Sequence, residues 1–286
     1  MAQRLVSVWQ PYFAATGDRE AAVAAARQLE DLGYDRIWFS AGFSDGVPAR
    51  FRELLDGTER IGVVPGIVSI WHASPADAAA YTAAAAEAHP GRFLLGLGAS
   101  HAPLLESQGR RYERPYSRMV EYLDALDAAG VAPEQRALAA LGPRMMTLSR
   151  DRSRGAHPYF VPAEHTAEAR GVLGPDALLA PEVAVVLEAD ATEARAVARR
   201  YMKGYLQLPN YTRNLVRIGW PEEELANGGS DRLVDALIPW GTVEQVVAGL
   251  EKHYRAGADE VTIQVLNDDQ KSFPADAFRS LAAALI

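Results

Sequence analysis

Apolar residues are spaced along the chain in two alternating rhythms. Short, nearly continuous apolar runs occur at LVSVW (5–9), DRIWFS (35–40), RIGVVPGIVSIW (60–71) and FLLGLG (93–98). Four more follow at RALAALG (136–142), GAHPYFV (155–161), EVAVVLEAD (182–190) and EVTIQVL (260–266). Their length and β-branched content predict strands buried on both faces. Between them lie alanine-rich stretches with helical spacing. Asp18 is a suitable N-cap for a helix over 18–33 and Gly33 a suitable residue to follow its end. Ser74 and Pro75 open a helix that runs to Ala88, and Pro143 opens one over 143–153. Further helices are predicted over 118–130, 163–174 and 242–258, with a last one at the C-terminus.

Eight such strands alternating with helices predict an all-parallel sheet, because each crossover returns the chain in the same direction. The number and the chain length suit an α/β fold of the (β/α)8 TIM-barrel type, with a doubly wound open sheet as the competing architecture. Two stretches break the beat, 42–59 after strand 2 and 205–241 after strand 7. They read as insertions, lids or interface pieces. The whole chain, 1–286, is expected to be a single barrel domain.

Composition narrows the function. The net charge is −8 and no basic stripe is present, which argues against a nucleic-acid partner. The chain has no cysteine, which excludes disulfides and thiolate chemistry. The opening MAQRLVSVWQ lacks a signal-type apolar core, and the apolar runs are too short to span a bilayer, so a cytoplasmic protein without a membrane partner is expected.

In a barrel of this kind chemistry gathers where strands end. Those ends supply Trp9, Gln10 and Pro11; Ser40, Ala41, Gly42 and Phe43; Ser69, Ile70, Trp71 and His72; and Gly98, Ala99, Ser100 and His101. The fifth and sixth add Gly142 to Met146 and His157, Pro158 and Tyr159. The set holds no carboxylate pair, which argues against glycosidase chemistry. His72, His101 and His157 lack metal-ligand spacing, so no metal site is expected. Ser100 has no nucleophile elbow around it. GLGASH (96–101) reads G-x-G-x-x-H but lies on the fourth strand with no helix opening at once, so it is a poor dinucleotide fingerprint. ALGPRMM (140–146) is a strand end followed by a proline-started helix. It reads either as an anion site made of backbone N–H groups with Arg144 beside it, or as a plain turn.

Several segments taken in order resemble the luciferase-like monooxygenase superfamily, most nearly its actinobacterial branch of coenzyme F420-dependent oxidoreductases. They are VVPGIVSIWHASP, GRFLLGLGASHAPL, the run from Tyr112 to Leu126, LAALGPRMMTLSRDRSRGAHPYFVPAEHTAEAR and GADEVTIQVL. The resemblance implies a barrel carrying F420, or FMN in related proteins, across its C-terminal mouth, with hydride transfer at deazaflavin C5 to or from a small organic substrate. It implies a cis non-proline peptide at Ser69–Ile70 against the ring, and a cofactor-lining loop at Gly98, Ala99, Ser100 and His101. Gly142, Pro143, Arg144, Met145 and Met146 would form the phosphate turn, with His157 among the cofactor contacts. A homodimer is implied as well. The acid usual at the second strand end is replaced by Ala41 and Gly42, neither of which can move a proton. Proton transfer then falls to His101 or His72, or the substrate needs none. An FMN-dependent monooxygenase and a non-catalytic deazaflavin-binding protein are the alternatives.

Overall fold

Strand β1 (Leu5–Trp9) is buried from Val6 to Trp9 and lies between two parallel neighbours, β2 (Arg36–Phe39) and β10 (Glu260–Val265). The computed structural model describes residues 4–41, 47–267 and 272–286. Between β2 and β10 the chain forms β3 (Gly62–Pro65), β4 (Val68–Ser69), β5 (Leu95–Gly98) and β6 (Arg136–Leu138). It then forms β7 (Gly155–Ala156), β8 (Leu178–Leu179) and β9 (Glu182–Val185). All paired strands are parallel, in two five-stranded sheets of order β3-β2-β1-β10-β9 and β4-β5-β6-β7-β8.

The sheets meet where their edge strands are consecutive in the chain. β3 continues into β4 through a cis peptide at Gly66–Ile67. β8 continues into β9 through Ala180 and Pro181. Backbone bonds close over both seams: Val63 N–H to Arg92 O at 2.8 Å at the first, Thr262 N–H to Pro181 O at 3.0 Å at the second. Eight strand positions thus run round the fold, as the periodicity predicts for a TIM barrel.

Helix boundaries follow the capping residues. Asp18 Oδ1 accepts from Ala21 N–H at 3.0 Å and starts the helix Arg19–Asp31, and Gly33 takes the left-handed φ of 91° just past its end. Ser74 Oγ accepts from Asp77 N–H at 3.1 Å and starts Pro75–Ala88. Three strands are shorter than their apolar runs. GAHPYFV pairs only over Gly155–Ala156, and at Phe160 the backbone turns to φ 56°. RALAALG pairs over Arg136–Leu138, and EVAVVLEAD over Glu182–Val185.

Inside the barrel Trp9, Trp38, Val64, Leu94, Ala137, Leu178 and Ala180 pack together. The fully buried Glu260 is paired with Arg36 and accepts from Trp38 Nε1 at 2.8 Å. After β2 comes the helix Val47–Gly57. The long segment between β9 and β10 forms the helices Ala191–Tyr205, Pro209–Arg217, Glu222–Leu225, Asp231–Leu237 and Val243–Arg255. Its apolar residues make a second core with Phe160, Ala184 and Leu266. Among the described residues no helix is long and apolar enough to cross a membrane.

Candidate functional site

The strands end around a cavity of about 450 Å³, within the range of small-molecule sites. Trp9 reaches it from β1, Ser40 from just past β2, and Gly66 and Ile67 from the β3–β4 junction. Gly98 to His101 follow β5, Ala139 to Leu141 follow β6, and His157 and Tyr159 follow β7. One wall comes from elsewhere. Tyr205, Leu208, Asn210 and Tyr211 belong to the helical segment after β9, Leu104 to the short helix Ala102–Glu106 after β5, and Tyr112 to the loop that follows it.

The glycines of FLLGLG answer to chain packing. A Cβ on Gly96 would lie 1.9 Å from Pro65 O, and one on Gly98 would lie 2.6 Å from the Ile67 side chain. Both let the irregular β3–β4 junction press against β5, and Gly98 also faces the cavity. Ser100 holds a left-handed backbone, φ 59°, where β5 gives way to the loop.

Of the candidate cofactor contacts, the cavity gathers Gly98, Ala99, Ser100, His101, Met145 and His157, and of the other strand-end residues Trp9, Ser40 and Tyr159. Others stand apart. The cis peptide falls at Gly66–Ile67, three residues before the expected Ser69–Ile70. There Val68 and Ser69 have already rejoined a regular parallel pair with β5. Ser69 and Ile70 are fully buried, Ile70 in the core, and neither lines the cavity. His72 is half-buried and also outside the lining. Gly142 caps the helix Pro143–Arg152, Met146 is buried in the helix–sheet core, and Arg144 lies 4.4 Å over the Tyr116 ring. At the second strand end Ala41 is buried in the core, and the residue that lines the cavity is Ser40. Gly42 and Phe43 lie outside the described residues.

The polar groups at the site are neutral. Burial pushes the His101 imidazole below its ordinary value, against the opposing effect of Asn210. Its Nδ1 meets Asn210 Oδ1 at 2.9 Å, which calls for the proton on Nδ1 and leaves Nε2 with a lone pair. That bond ties the loop after β5 to the helical wall. His157 is stacked on Trp38 at 4.2 Å, and burial holds it at about 4. Its Nδ1 donates to Ala180 O at 2.7 Å, while Nε2 has no partner among the described residues. Trp9 Nε1, a donor, is likewise buried and unpartnered.

The wall is a stack of aromatics. Tyr159 lies edge-on to Trp9 with ring centroids 5.2 Å apart, and Tyr205 stacks on Phe160 at 5.1 Å. Tyr159 Oη meets Tyr205 Oη at 2.9 Å and donates to Gln264 Oε1 at 2.8 Å. Burial raises Tyr159, Tyr201 and Tyr211 well above the usual phenol range and Tyr205 to about 12, so all four hydroxyls keep their protons. The sequence reading missed Tyr205, Asn210 and Tyr211 as site residues. The only signal for them was an aromatic, proline-broken run, LQLPNYT, in a segment too long for a plain loop.

Comparison with known proteins completes the description. Over 98 residues the chain is 31% identical to the 5,10-methylenetetrahydromethanopterin reductase of Archaeoglobus fulgidus, a match spanning 34% of this chain and 30% of that protein. The structure of an F420-dependent secondary alcohol dehydrogenase holding an F420–acetone adduct aligns with a TM-score of 0.74 at 14% identity, over 99% of each chain. The oxygenating constituent of 3,6-diketocamphane monooxygenase from the CAM plasmid of Pseudomonas putida, in complex with FMN, aligns with a TM-score of 0.71 at 15% identity, over 98% of this chain and 96% of that one. At these identities the two structures speak to the fold alone. The match to the luciferase-like monooxygenase family, in contrast, covers residues 7–260, and the chain belongs to that family.

Proposed function

We propose that the protein is an F420-dependent oxidoreductase acting on a small organic substrate. The observation that carries this reading is the pair of unpartnered polar atoms in the cavity lining, Trp9 Nε1 and His157 Nε2. A buried donor and a buried acceptor left without partners each cost about 1–3 kcal/mol. A planar heterocycle carrying a carbonyl and a ring N–H has the complementary chemistry. The remaining lining is mostly apolar or aromatic, which suits the faces of such a ring.

The residues divide the work. Ile67 would support one face of the ring and Ala99 and Ser100 its rim, with Gly98 keeping the strand low enough to leave room. The helix Pro143–Arg152 starts beside the cavity without a side-chain cap, so its first N–H groups are available to a phosphate. When bound, the deazaflavin supplies a hydride donor or acceptor at C5. His101, neutral and carrying its lone pair on Nε2, would accept a hydrogen bond from a substrate hydroxyl or receive its proton. Tyr159, Tyr205 and Tyr211 would wall the same space.

F420 is favoured over FMN by the sequence segments that resemble the F420-dependent branch, while the cavity chemistry suits either ring. Titrating the purified protein with F420 and with FMN, followed by fluorescence, decides between them. Binding of F420 below about 100 μM, roughly −5.5 kcal/mol, supports the reading. Binding of FMN alone replaces it with a flavin monooxygenase. Binding of neither removes the cofactor assignment.

A further inference from the structure

Behind the tyrosine wall lies an acid that the preceding reading does not use. Glu182 begins β9, and 1% of its surface is exposed. Among the described residues it forms no ion pair. Its Oε2 accepts from Phe160 N–H at 3.2 Å, and Oε1 lies 3.3 Å from Tyr201 Oη. Tyr201 Oη is 3.0 Å from Tyr159 Oη, and Tyr159 lines the cavity. The groups facing the carboxyl from the packed elements are the hydroxyls of Tyr159, Tyr201, Tyr205 and Tyr211, with Gln264 opposite on β10.

The surroundings of the carboxyl set its state. Its donors are one backbone N–H, from Phe160, and one hydroxyl, from Tyr201, which is shared with Tyr159 Oη at 3.0 Å and Gln264 Oε1 at 3.4 Å. A fully buried carboxylate with no ion pair and so few donors is disfavoured against the neutral acid.

We propose that Glu182 is held as a neutral carboxylic acid and serves, through Tyr201 and Tyr159, as the proton store for the ligand in the strand-end cavity. The use of that proton rests on the oxidoreductase reading above. Burial raises the carboxyl to about 8. The ligand class is an acceptor such as a ketone or imine, whose heteroatom would need a proton once a bound deazaflavin supplied hydride chemistry at the neighbouring carbon. The Tyr159 O–H then turns from Gln264 and its proton bonds to that heteroatom. Tyr201 passes its proton to Tyr159, Glu182 passes its own to Tyr201, and a carboxylate remains until solvent returns a proton. Only protons move along the relay. Tyr159 is the residue that touches the ligand, while Tyr201 and Glu182 act through it. This supplies a proton source in a barrel whose second strand end, among the described residues, presents Ser40 and no acid.

Infrared difference spectroscopy of the cofactor-free protein tests the assignment. At neutral pH the wild type is expected to show the carbonyl stretch of a buried protonated carboxyl, lost in Glu182→Gln and bleached as pH passes about 8. Tyr201→Phe should keep the band and shift it, because its hydrogen-bond partner is gone. A spectrum unchanged by Glu182→Gln, or a band unmoved by Tyr201→Phe, overturns the proposal. Oxidised F420 added to the wild type should shift the band through Tyr159, and a bound F420 that leaves it in place overturns the link to the cavity. If F420 does not bind, the cofactor reading and the use of the proton fall together, while the protonated acid stands on the cofactor-free spectrum.

Discussion

Gly96 and Pro65 approach so closely across β3 and β5 that a Cβ at position 96 would sit 1.9 Å from the Pro65 carbonyl oxygen. The contact is with backbone, which has little room to give. Gly96→Ala is therefore expected to destabilise the protein by about 1–3 kcal/mol or more. Gly142 is the contrast, since a Cβ there meets nothing within 4 Å and its φ is −83°. Gly142→Ala should stay within about 0.5 kcal/mol of wild type. Urea unfolding of the two variants checks both figures, and equal midpoints would refute the packing argument.

Glu30 ties the first long helix to the start of β3. Its carboxylate accepts from Glu59 N–H at 2.9 Å, from Ile61 N–H at 2.8 Å and from Arg60 N–H. Burial works against the charge, but these donors outweigh it and hold the carboxyl below its ordinary value. Glu30→Ala should cost about 2–3 kcal/mol, because three backbone donors lose a charged acceptor. A depressed folded-state value places this stability above the ordinary carboxylate range and removes it as pH falls through the folded value. The wild type should therefore lose its advantage over Glu30→Ala in acid. An advantage constant with pH would contradict the carboxylate's role.

Glu182 has the opposite linkage. In the folded protein it keeps its proton to about 8, whereas the unfolded chain releases it near the ordinary 4.5. Between those values the unfolded state binds fewer protons, so the contribution of Glu182 to stability declines as pH rises. Glu182→Gln should flatten that decline. Unfolding midpoints measured at about pH 5 and about pH 8 for both proteins give the comparison, and parallel profiles would count against a raised value.

The second strand end allows a sharper test of placement. Ala41 is 3% exposed in the core, whereas Ser40 lines the cavity. Ala41→Glu would bury a carboxyl with no designed partner and is expected to cost about 3 kcal/mol or more. Ser40→Asp sets its carboxylate at the cavity wall and should cost about 1 kcal/mol or less. Thermal unfolding distinguishes them, and equal losses would show the assignment of the two positions to be wrong.

Filling the cavity tests the binding site directly. Ala99→Trp places an indole in the space assigned to the ring and should weaken F420 binding at least about tenfold, or 1.4 kcal/mol. Fluorescence titration against wild type reads the change. An unaltered affinity would move the cofactor elsewhere.

Elements governed by local chemistry were legible in the residues. Asp18, Ser74 and Pro143 begin helices where capping requires, and Gly33 ends one. The eightfold alternation yields the barrel because parallel pairing needs long crossovers. Two features depend on contacts that one sequence does not display. The cis peptide at Gly66–Ile67 and the glycines of β5 define each other across strands, so the position was misplaced by three residues when read from the Ser69–Ile70 resemblance. His101 could be named from its strand end, but its partner Asn210 lies 109 residues further along the chain. The tyrosine wall and Glu182 are likewise assembled by folding, because their apolar and aromatic neighbours in sequence read only as core.

Tyr205, Leu208, Asn210 and Tyr211 close the cavity from a helical segment that contributes no strand to either sheet. One wall of the cavity is therefore written in a stretch of chain separate from the ladder pairs. Residues 205–237 carry none of the ladder pairs, from Leu5↔Glu260 to Ala156↔Leu179, and only beyond them does Trp240 bridge to Val186. A library of such segments grafted at this one junction would give one barrel many mouths.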